Sequence, residues 1–295
     1  KMAAKAPNKT VTRKSPAKGG KTRSSKPQKK APASRAKADV ILDKRDAVAW
    51  VTLNRPERMN AFDHAMITQV GDALQDCHED PRVGVVVLTG AGDRAFTAGG
   101  FLGDLAEFSP EKARKLFDAS VRSLTLIRRM RQPVVAAVNG AAIGGGNEVV
   151  VCCDLAIASE HATFGQVGPR IGSSPFFGGT NLLALTIGEK RAREINYLCK
   201  KYTAQEAFDM GMINKVVPHA RLQAEVQEWC EIMLDRSPAY LEMSKIGANV
   251  WFDMIQPSFE MAKQALTHMA GNAQQTEGAS AFMEKRKPNF HQFRK

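Results

Sequence analysis

The sequence lacks a long apolar run and a clustered set of metal-binding side chains. No stretch approaches the roughly 18 uninterrupted apolar residues that cross a membrane, and apolar runs such as residues 83–88 and 133–138 have the length of single strands. The six histidines form no cluster typical of metal ligands, so we assign no metal. A membrane-spanning protein and a metalloenzyme are therefore both disfavoured.

Cysteine is also scarce. The five cysteines form no Cys-x-x-Cys pair, and they are Cys77, Cys152, Cys153, Cys199 and Cys230. An odd number of scattered cysteines is typical of free thiols in a reducing compartment, so we expect a cytoplasmic location, with organellar import left open. Cys152 and Cys153 lie in an apolar run that predicts a buried strand.

Acidic residues are missing from the beginning of the chain. Residues 1–38 hold 13 of the 42 Lys and Arg residues, so the other 29 face 30 acidic residues and the remainder is nearly neutral. The segment has almost no large apolar side chain and no apolar core for a secretory signal. We predict a disordered basic tail, either a solvated extension or a site of non-specific polyanion contact.

From residue 39 the pattern alternates between strands and helices, which predicts an α/β fold. Residues 40–42 and 47–53 are expected to form a hairpin with 43–46 as its turn. Residues 60–77 have helical spacing. Beyond Asn181 the periodicity is almost wholly helical.

Two glycine-rich loops, residues 95–102 and 139–148, each run from a predicted strand toward a helix. Glycines let a backbone approach a ligand closely, and the helix that follows presents unpaired N–H groups. Two such groups converging on one carbonyl oxygen would stabilise an enolate or oxyanion. Neither loop fits a P-loop or a dinucleotide-binding pattern. Tight packing of strand against helix would also explain the glycines.

Together with other segments, these loops resemble one known family. Segments 53–61, 90–96, 134–148, 153–158, 162–166 and 282–290 occur in the order and spacing of the crotonase (enoyl-CoA hydratase/isomerase) superfamily. The resemblance implies a repeated β-β-α core over residues 39–200. It also implies a helical C-terminal region, residues 201–295, that builds a homotrimer or a dimer of trimers.

The resemblance also implies the site residues. Gly100 and Gly145 would supply the two oxyanion amides, and Glu148 would be the acid/base. The expected contacts to substrate or CoA are Arg58, Ala61, Phe96, Ala98, Phe101, Gly144, Gln166 and Gly168. Coenzyme A would enter as part of the substrate, with no permanently bound cofactor.

The chain departs from the hydratase pattern at Gly168, where a second glutamate is expected. Gly168 resembles the dihydroxynaphthoyl-CoA synthases and the hydrolases that open cyclic β-keto acyl-CoA rings. In some of these synthases a bicarbonate ion replaces the carboxylate, which makes Gln166 and Gly168 a candidate bicarbonate site. However, Asn196 replaces their Trp, and residues 173–180 lack their catalytic Asp.

Aromatic residues appear at two unexpected places. Phe101 stands where relatives usually place Asp. Phe176 and Phe177 are expected either in the core or around a pocket for a cyclic or bulky acyl group.

Three hypotheses follow from these patterns. The leading one is hydration of an enoyl-CoA, or the reverse dehydration, by an enzyme with a single Glu. The second is a ring-opening hydrolase or ring-forming synthase acting on a cyclic β-keto or aromatic acyl-CoA. The third is a CoA-binding protein that has lost catalysis and works through its tail.

Overall fold

A computed structural model describes residues 38–100 and 108–294. The predicted disordered tail up to residue 37, and Phe101, lie outside these ranges. The described residues from Ala38 onward belong to one compact unit, and the division at residue 200 stays a prediction. No helix of the described ranges is both long and apolar enough to cross a membrane.

The strands form two sheets. Their bounds are β1 Val40–Arg45, β2 Val48–Leu53, β3 Val85–Gly90, β4 Ala95–Thr97, β5 Val134–Val138, β6 Ala141–Ile143, β7 Leu155–Ser159, β8 Thr163–Gly165, β9 Tyr202–Thr203 and β10 Lys215–Val217. The larger sheet has the order β1-β2-β3-β5-β7-β10, and the smaller sheet has the order β4-β6-β8-β9. Among the strand pairs of the described residues, β1/β2 and β8/β9 are antiparallel and the others are parallel.

Most pairs of consecutive strands in the chain are followed by a helix. Their bounds are α1 His64–Glu79, α2 Pro110–Arg129, α3 Gly145–Cys152, α4 Asn181–Ile187, α5 Glu189–Leu198, α6 Ala204–Asp209, α7 Leu222–Leu234, α8 Pro238–Ala248, α9 Val250–Met269 and α10 Ala273–Met283. Two strands and a helix recur as β3-β4-α2, β5-β6-α3 and β7-β8-α4, with one strand of each pair in each sheet. The predicted α/β fold with a repeated β-β-α core is therefore confirmed.

The central strands of the larger sheet are buried on both faces. Every residue of β5 is buried, as are five of the six in β3 and four of the five in β7. Parallel strands joined by crossover helices have both faces covered, which explains their continuous Val and Ala runs. The C-terminal ends of these strand pairs deliver the loops that form the site.

The hairpin prediction is confirmed, but its turn is shorter than residues 43–46. Strand β1 continues to Arg45, and only Asp46 and Ala47 turn, with φ of 45° and 67°. Positive φ at both turn residues matches the right-handed twist of the flanking strands. The polar side chains of β1 belong to a half-exposed edge strand, which explains why they suggested a turn.

Two further expectations were wrong. The helix predicted over residues 60–77 begins at His64, because Asp63 accepts a hydrogen bond from the Met66 N–H and caps it. Asn60 lies before it at a φ of 53°. Cys152 ends α3 and Cys153 follows it, so neither lies in a strand. A short apolar run does not distinguish a buried helix from a strand.

Candidate active site

The two glycine-rich loops meet at one edge of the smaller sheet. Strands β4 and β6 are parallel neighbours, so the loops after them leave from the same side. A β-carbon built on Gly99 would lie 2.7 Å from the Gly145 nitrogen, and one built on Gly145 would lie 3.6 Å from the Gly100 nitrogen. The Gly100 and Gly145 amides are therefore neighbours.

Both amides are available to a ligand. The N–H groups of Gly100 and Gly145 donate to no acceptor within residues 38–100 and 108–294. Gly145 begins α3, where the first N–H groups of a helix have no partner inside it. Two unpaired donors side by side have the arrangement that an oxyanion hole for one carbonyl oxygen requires.

Glycine is required at two places in the second loop. Gly144 has a φ of 58°, a conformation that disfavours residues with a β-carbon. A β-carbon on Gly146 would lie 2.0 Å from the carbonyl oxygen of Thr97. The close approach of α3 to β4 therefore depends on glycine, and it brings Glu148 into position one turn along the helix.

A separate loop before α4 holds the Glu148 carboxylate. Its Oε1 atom accepts hydrogen bonds from four consecutive backbone N–H groups, at 3.0, 2.9, 3.1 and 2.9 Å, from Phe176, Phe177, Gly178 and Gly179. Oε2 has no hydrogen-bond partner in the described part of the chain. The carboxylate is thus fixed through one oxygen, while the other remains for a substrate or water.

Burial and hydrogen bonding act on Glu148 in opposite directions. Glu148 is 4% exposed. Removal from water raises the pKa of its carboxyl above the ordinary value, and the four N–H groups of the 176–179 loop offset part of that rise. A carboxyl with a raised pKa is a stronger base when ionised, which suits a group that accepts and returns a proton.

A cavity of about 560 Å³ brings most of the expected site residues together. Those that line it are Ala98, Gly100, Gly144, Gly145, Glu148, Gln166 and Gly168. Three expected CoA contacts do not line it. Arg58 is exposed at the end of the short turn Pro56–Arg58, Ala61 is buried beside that turn, and the Phe96 side chain is fully buried in the core.

The position of the missing second carboxylate has no room for a side chain. A β-carbon on Gly168 would lie 2.8 Å from the Ser174 Cα and 3.0 Å from the Ser173 carbonyl oxygen. The Ser173 N–H also donates to the Gly168 carbonyl at 2.8 Å. The backbone of residues 173–174 therefore fills the space.

The geometry at Gln166 does not fit the bicarbonate expectation. Its amide Nε2 donates to the Asn147 side-chain oxygen at 3.0 Å and to the Gly144 carbonyl at 3.3 Å. These two contacts use both N–H bonds of the amide. The side chain of Gln166 therefore has no N–H left for an anion such as bicarbonate.

With this geometry in place, comparison with known proteins decides the family. The family profile described as enoyl-CoA hydratase/isomerase matches residues 43–294. The chain belongs to the enoyl-CoA hydratase/isomerase family. The expected membership of the crotonase superfamily and the expectation of an enzyme of this family are therefore confirmed, whereas the resemblance to synthases and ring-opening hydrolases stays a hypothesis.

Solved structures of bacterial proteins agree with this assignment. An enoyl-CoA hydratase from Mycobacterium avium subsp. paratuberculosis K-10 is 29% identical with a TM-score of 0.79, and the match covers 86% of this chain and 98% of that chain. A carnitinyl-CoA hydratase from Mycobacterium avium is 30% identical with a TM-score of 0.77, covering 86% and 99%. An enoyl-CoA hydratase from Bacillus anthracis is 29% identical with a TM-score of 0.71, covering 86% and 99%.

The two phenylalanines flagged in the sequence have different surroundings. Phe176 lines the cavity, where its ring lies 4.8 Å from that of Phe117. Phe177 lies in the core, stacked on Phe259 at 4.8 Å and 16°. Phe176 therefore packs in the core and also lines the cavity, whereas Phe177 lies in the core and does not line it.

Sequence reasoning did not find the contribution of α2 to the cavity. Leu116, Phe117, Ser120 and Leu124 line it from one face of this helix. Their spacing of one, three and four residues is that of a helix face and was the available signal. Lys112 and Lys115, nearer the start of α2, also line the cavity. Within the described ranges, no group of three or more His, Cys, Asp or Glu side chains could hold a metal ion.

Proposed function

We propose that this enzyme adds water to an enoyl-CoA thioester, or removes it in the reverse direction, with Glu148 as its single acid/base. The observation that carries this proposal is that Glu148 Oε2 and the amides of Gly100 and Gly145 share one cavity and have no hydrogen-bond partner among the described residues. A base and an oxyanion hole that share one cavity can act on one thioester.

The two amides act on the thioester carbonyl. The Gly100 and Gly145 N–H groups donate to its oxygen and draw electron density from the conjugated double bond. This makes the β-carbon electrophilic. When water attacks there, negative charge develops on the carbonyl oxygen, and the same two donors stabilise the resulting enolate.

Glu148 moves the proton. Its ionised carboxylate accepts a proton from the attacking water as the new C–O bond forms. The protonated carboxyl then returns this proton to the α-carbon as the enolate collapses. The product is a 3-hydroxyacyl thioester, and Glu148 is ionised again. Because Gly168 supplies no carboxylate, one side chain performs both transfers.

The side chains that α2 contributes to the cavity are charged near the start of the helix and mostly apolar further along, which suits an acyl-CoA. Lys112 and Lys115 are exposed near the start of the helix, where a phosphate-bearing group would meet positive charge. Leu116, Phe117 and Leu124 follow further along and present apolar surface. We therefore place the CoA phosphates near the two lysines and the acyl group among the apolar side chains.

The experiment is turnover of a small thioester panel by the purified protein. Hydration predicts loss of the conjugated enoyl absorbance of crotonyl-CoA with a 3-hydroxyacyl product. Ring opening of 2-oxocyclohexane-carboxyl-CoA without any hydration would select the hydrolase hypothesis instead. Tight CoA binding with no turnover of any thioester would select the hypothesis of lost catalysis.

We also propose that the chain assembles as a homotrimer or a dimer of trimers. Helices α8 and α9 expose a group of large apolar side chains, which are Tyr240, Met243, Ile246, Val250, Trp251, Met254 and Met261. Exposed apolar patches of this kind mark protein interfaces. The mass of the protein in solution, measured by light scattering, tests this proposal, and a monomer would contradict it.

We further propose a role for the basic tail and a cellular location for the protein. The 13 basic residues before Asp39 support non-specific contact with polyanions. A truncation that starts at Asp39 should keep turnover and lose binding to heparin. The reducing cytoplasm remains the proposed location, supported by five unpaired cysteines that are all buried.

A further inference from the structure

Three phenylalanine rings form one continuous surface inside the cavity. Phe108 lies just before α2, Phe117 lies within it, and Phe176 lies in the loop before α4. The rings of Phe108 and Phe117 meet edge to face at 6.1 Å and 77°, and those of Phe117 and Phe176 meet at 4.8 Å and 52°. We call these three side chains the aromatic wall. Each ring is held by a neighbouring ring, so the wall is formed before a ligand arrives.

The aromatic wall begins beside the proposed reaction centre. The backbone N–H of Phe176 donates to Glu148 Oε1 at 3.0 Å, so one residue both holds the carboxylate and supplies a ring of the wall. A substituent on the β-carbon of a bound enoyl group lies close to Glu148. Phe176 and Phe117 line the same cavity as Glu148, so both rings are candidates to contact that substituent.

We propose that the preferred acyl group carries an aromatic ring on its β-carbon, as in an arylpropenoyl thioester, and that Phe117, whose ring packs against that of Phe108, determines this preference. The inference rests on the proposed hydration of an enoyl-CoA. Aromatic rings favour offset or edge-to-face contacts with other rings beyond what their buried area provides. A ring also loses less conformational freedom on binding than a flexible alkyl chain. Other apolar residues beside the wall, such as Leu116 and Leu124, complete an apolar surrounding.

The first test measures binding without turnover. Saturated thioesters cannot be hydrated, so 3-phenylpropanoyl-CoA and 3-cyclohexylpropanoyl-CoA report on the wall alone. These two ligands have the same number of carbon atoms, but one ring is flat and aromatic and the other is puckered and saturated. We expect the phenyl compound to bind about threefold to tenfold more tightly. Equal binding, or tighter binding of the cyclohexyl compound, would overturn the inference and indicate a pocket for bulk alone.

The second test removes one ring of the wall. In Phe117→Leu the preference for phenyl over cyclohexyl should fall to near onefold, because leucine keeps apolar volume without the ring. Phe208→Leu is the matched control, since Phe208 is exposed on α6 and lies outside the cavity. It should keep the preference of the unchanged protein. A preference that survives Phe117→Leu would contradict the role of Phe117.

Turnover then separates this inference from the proposed function. Preferred binding of the phenyl compound, with hydration of cinnamoyl-CoA at a higher kcat/KM than 2-hexenoyl-CoA, supports both. Preferred binding without hydration of any enoyl-CoA keeps the wall and overturns the hydratase proposal. Hydration of 2-hexenoyl-CoA with no phenyl preference keeps the hydratase and overturns the wall.

Discussion

The Asn196 side-chain amide donates to the Gly179 carbonyl oxygen at 2.8 Å, and the N–H of the same Gly179 donates to Glu148 Oε1 at 2.9 Å. Asn196 lies on the buried face of α5. Gly179 therefore connects the Asn196 side chain to the Glu148 carboxylate by two hydrogen bonds. The Oδ1 atom of Asn196 is buried and has no hydrogen-bond partner among the described residues. A buried oxygen without a partner lowers the free energy of unfolding by about 1–3 kcal/mol. The hydrogen bond from Asn196 to the 176–179 loop is therefore accompanied by a loss of stability at Oδ1.

We expect Asn196→Ala to lower kcat about tenfold, with a smaller change in KM, because the 176–179 loop would hold Glu148 less rigidly. Steady-state kinetics on the best enoyl-CoA measures this change. The pH profile should also shift, because weaker N–H donation to Glu148 raises the pKa of its carboxyl further.

Asn249→Ala is the matched control for this change. Asn249 is also a buried asparagine whose amide donates to one backbone carbonyl, that of Arg128, and whose Oδ1 lacks a partner within the described ranges. It does not line the cavity. Its replacement should lower stability without changing the pH profile. Equal kinetic effects of the two substitutions would show that Asn196 has only a structural role.

The second prediction concerns pH and activity. Burial raises the pKa of Glu148 above its ordinary value of 4.5, and the base must be ionised to accept a proton from water. We expect kcat/KM to fall at acid pH, with its midpoint above that ordinary value. A profile that stays flat down to pH of about 4.3 would mean that no buried glutamate acts as the base.

The third prediction concerns pH and stability. Because the folded pKa of Glu148 is raised, its contribution to stability is complete at low pH and is lost as pH rises through that pKa. Glu148→Gln carries no ionisable group at this position. The free energy of unfolding of this variant, relative to that of the unchanged protein, should therefore increase as pH rises. Thermal unfolding of both proteins at several pH values tests this, and a difference that shrinks with rising pH would contradict it.

The fourth prediction concerns the empty carboxylate position. Gly168→Glu should not increase hydration, because the backbone of Ser173 and Ser174 fills the space beside Gly168. We expect a loss of about 1–3 kcal/mol in the free energy of unfolding, as for other overpacked sites.

Gly247→Ala is a control for which we expect a gain in stability instead of a loss. A β-carbon on Gly247, within α8, meets nothing within 4 Å. Alanine should therefore stabilise that helix by about 0.5–1 kcal/mol. Denaturant unfolding compares the two variants, and a stable Gly168→Glu protein with increased kcat would show that the 173–174 loop moves aside easily.

The fifth prediction concerns a buried ion pair that attaches α8 to the core. Lys245 Nζ lies 2.7 Å from Asp154 Oδ2 and donates to the carbonyl oxygens of Ile127 and Gln132, each at 2.8 Å. Lys245→Met leaves the Asp154 carboxylate without its cation and should cost about 3 kcal/mol of stability. Lys115→Met, in an exposed pair with Glu111, should cost less than about 0.5 kcal/mol. Similar losses for both would contradict this role of Lys245.

Much of the fold could be predicted because its signals are local. The Val and Ala runs of β3 and β5 and the paired glycines of the two loops have direct physical causes in burial and close backbone approach. The resemblance to the crotonase superfamily, rather than these local signals, assigned Gly100, Gly145 and Glu148 to one site, and the structure puts all three around one cavity.

The rest depends on contacts between residues that are distant in the sequence. Four N–H groups of the 176–179 loop converge on a carboxylate about 30 positions earlier, and no spacing pattern reports this. Phe117 and Phe176 likewise meet only because α2 packs over the loop before α4. Phe96 was expected along the CoA path, although its place in a fully buried strand directs the side chain into the core.

The most direct test of the central claim is the turnover of Glu148→Gln. The glutamine side chain keeps the size of Glu148 and its hydrogen-bonding oxygen, but it cannot accept a proton from water. Our account predicts that hydration of the best enoyl-CoA falls by at least about a thousandfold, while the affinity for CoA thioesters is retained. Hydration by Glu148→Gln within tenfold of the unchanged protein would contradict the account.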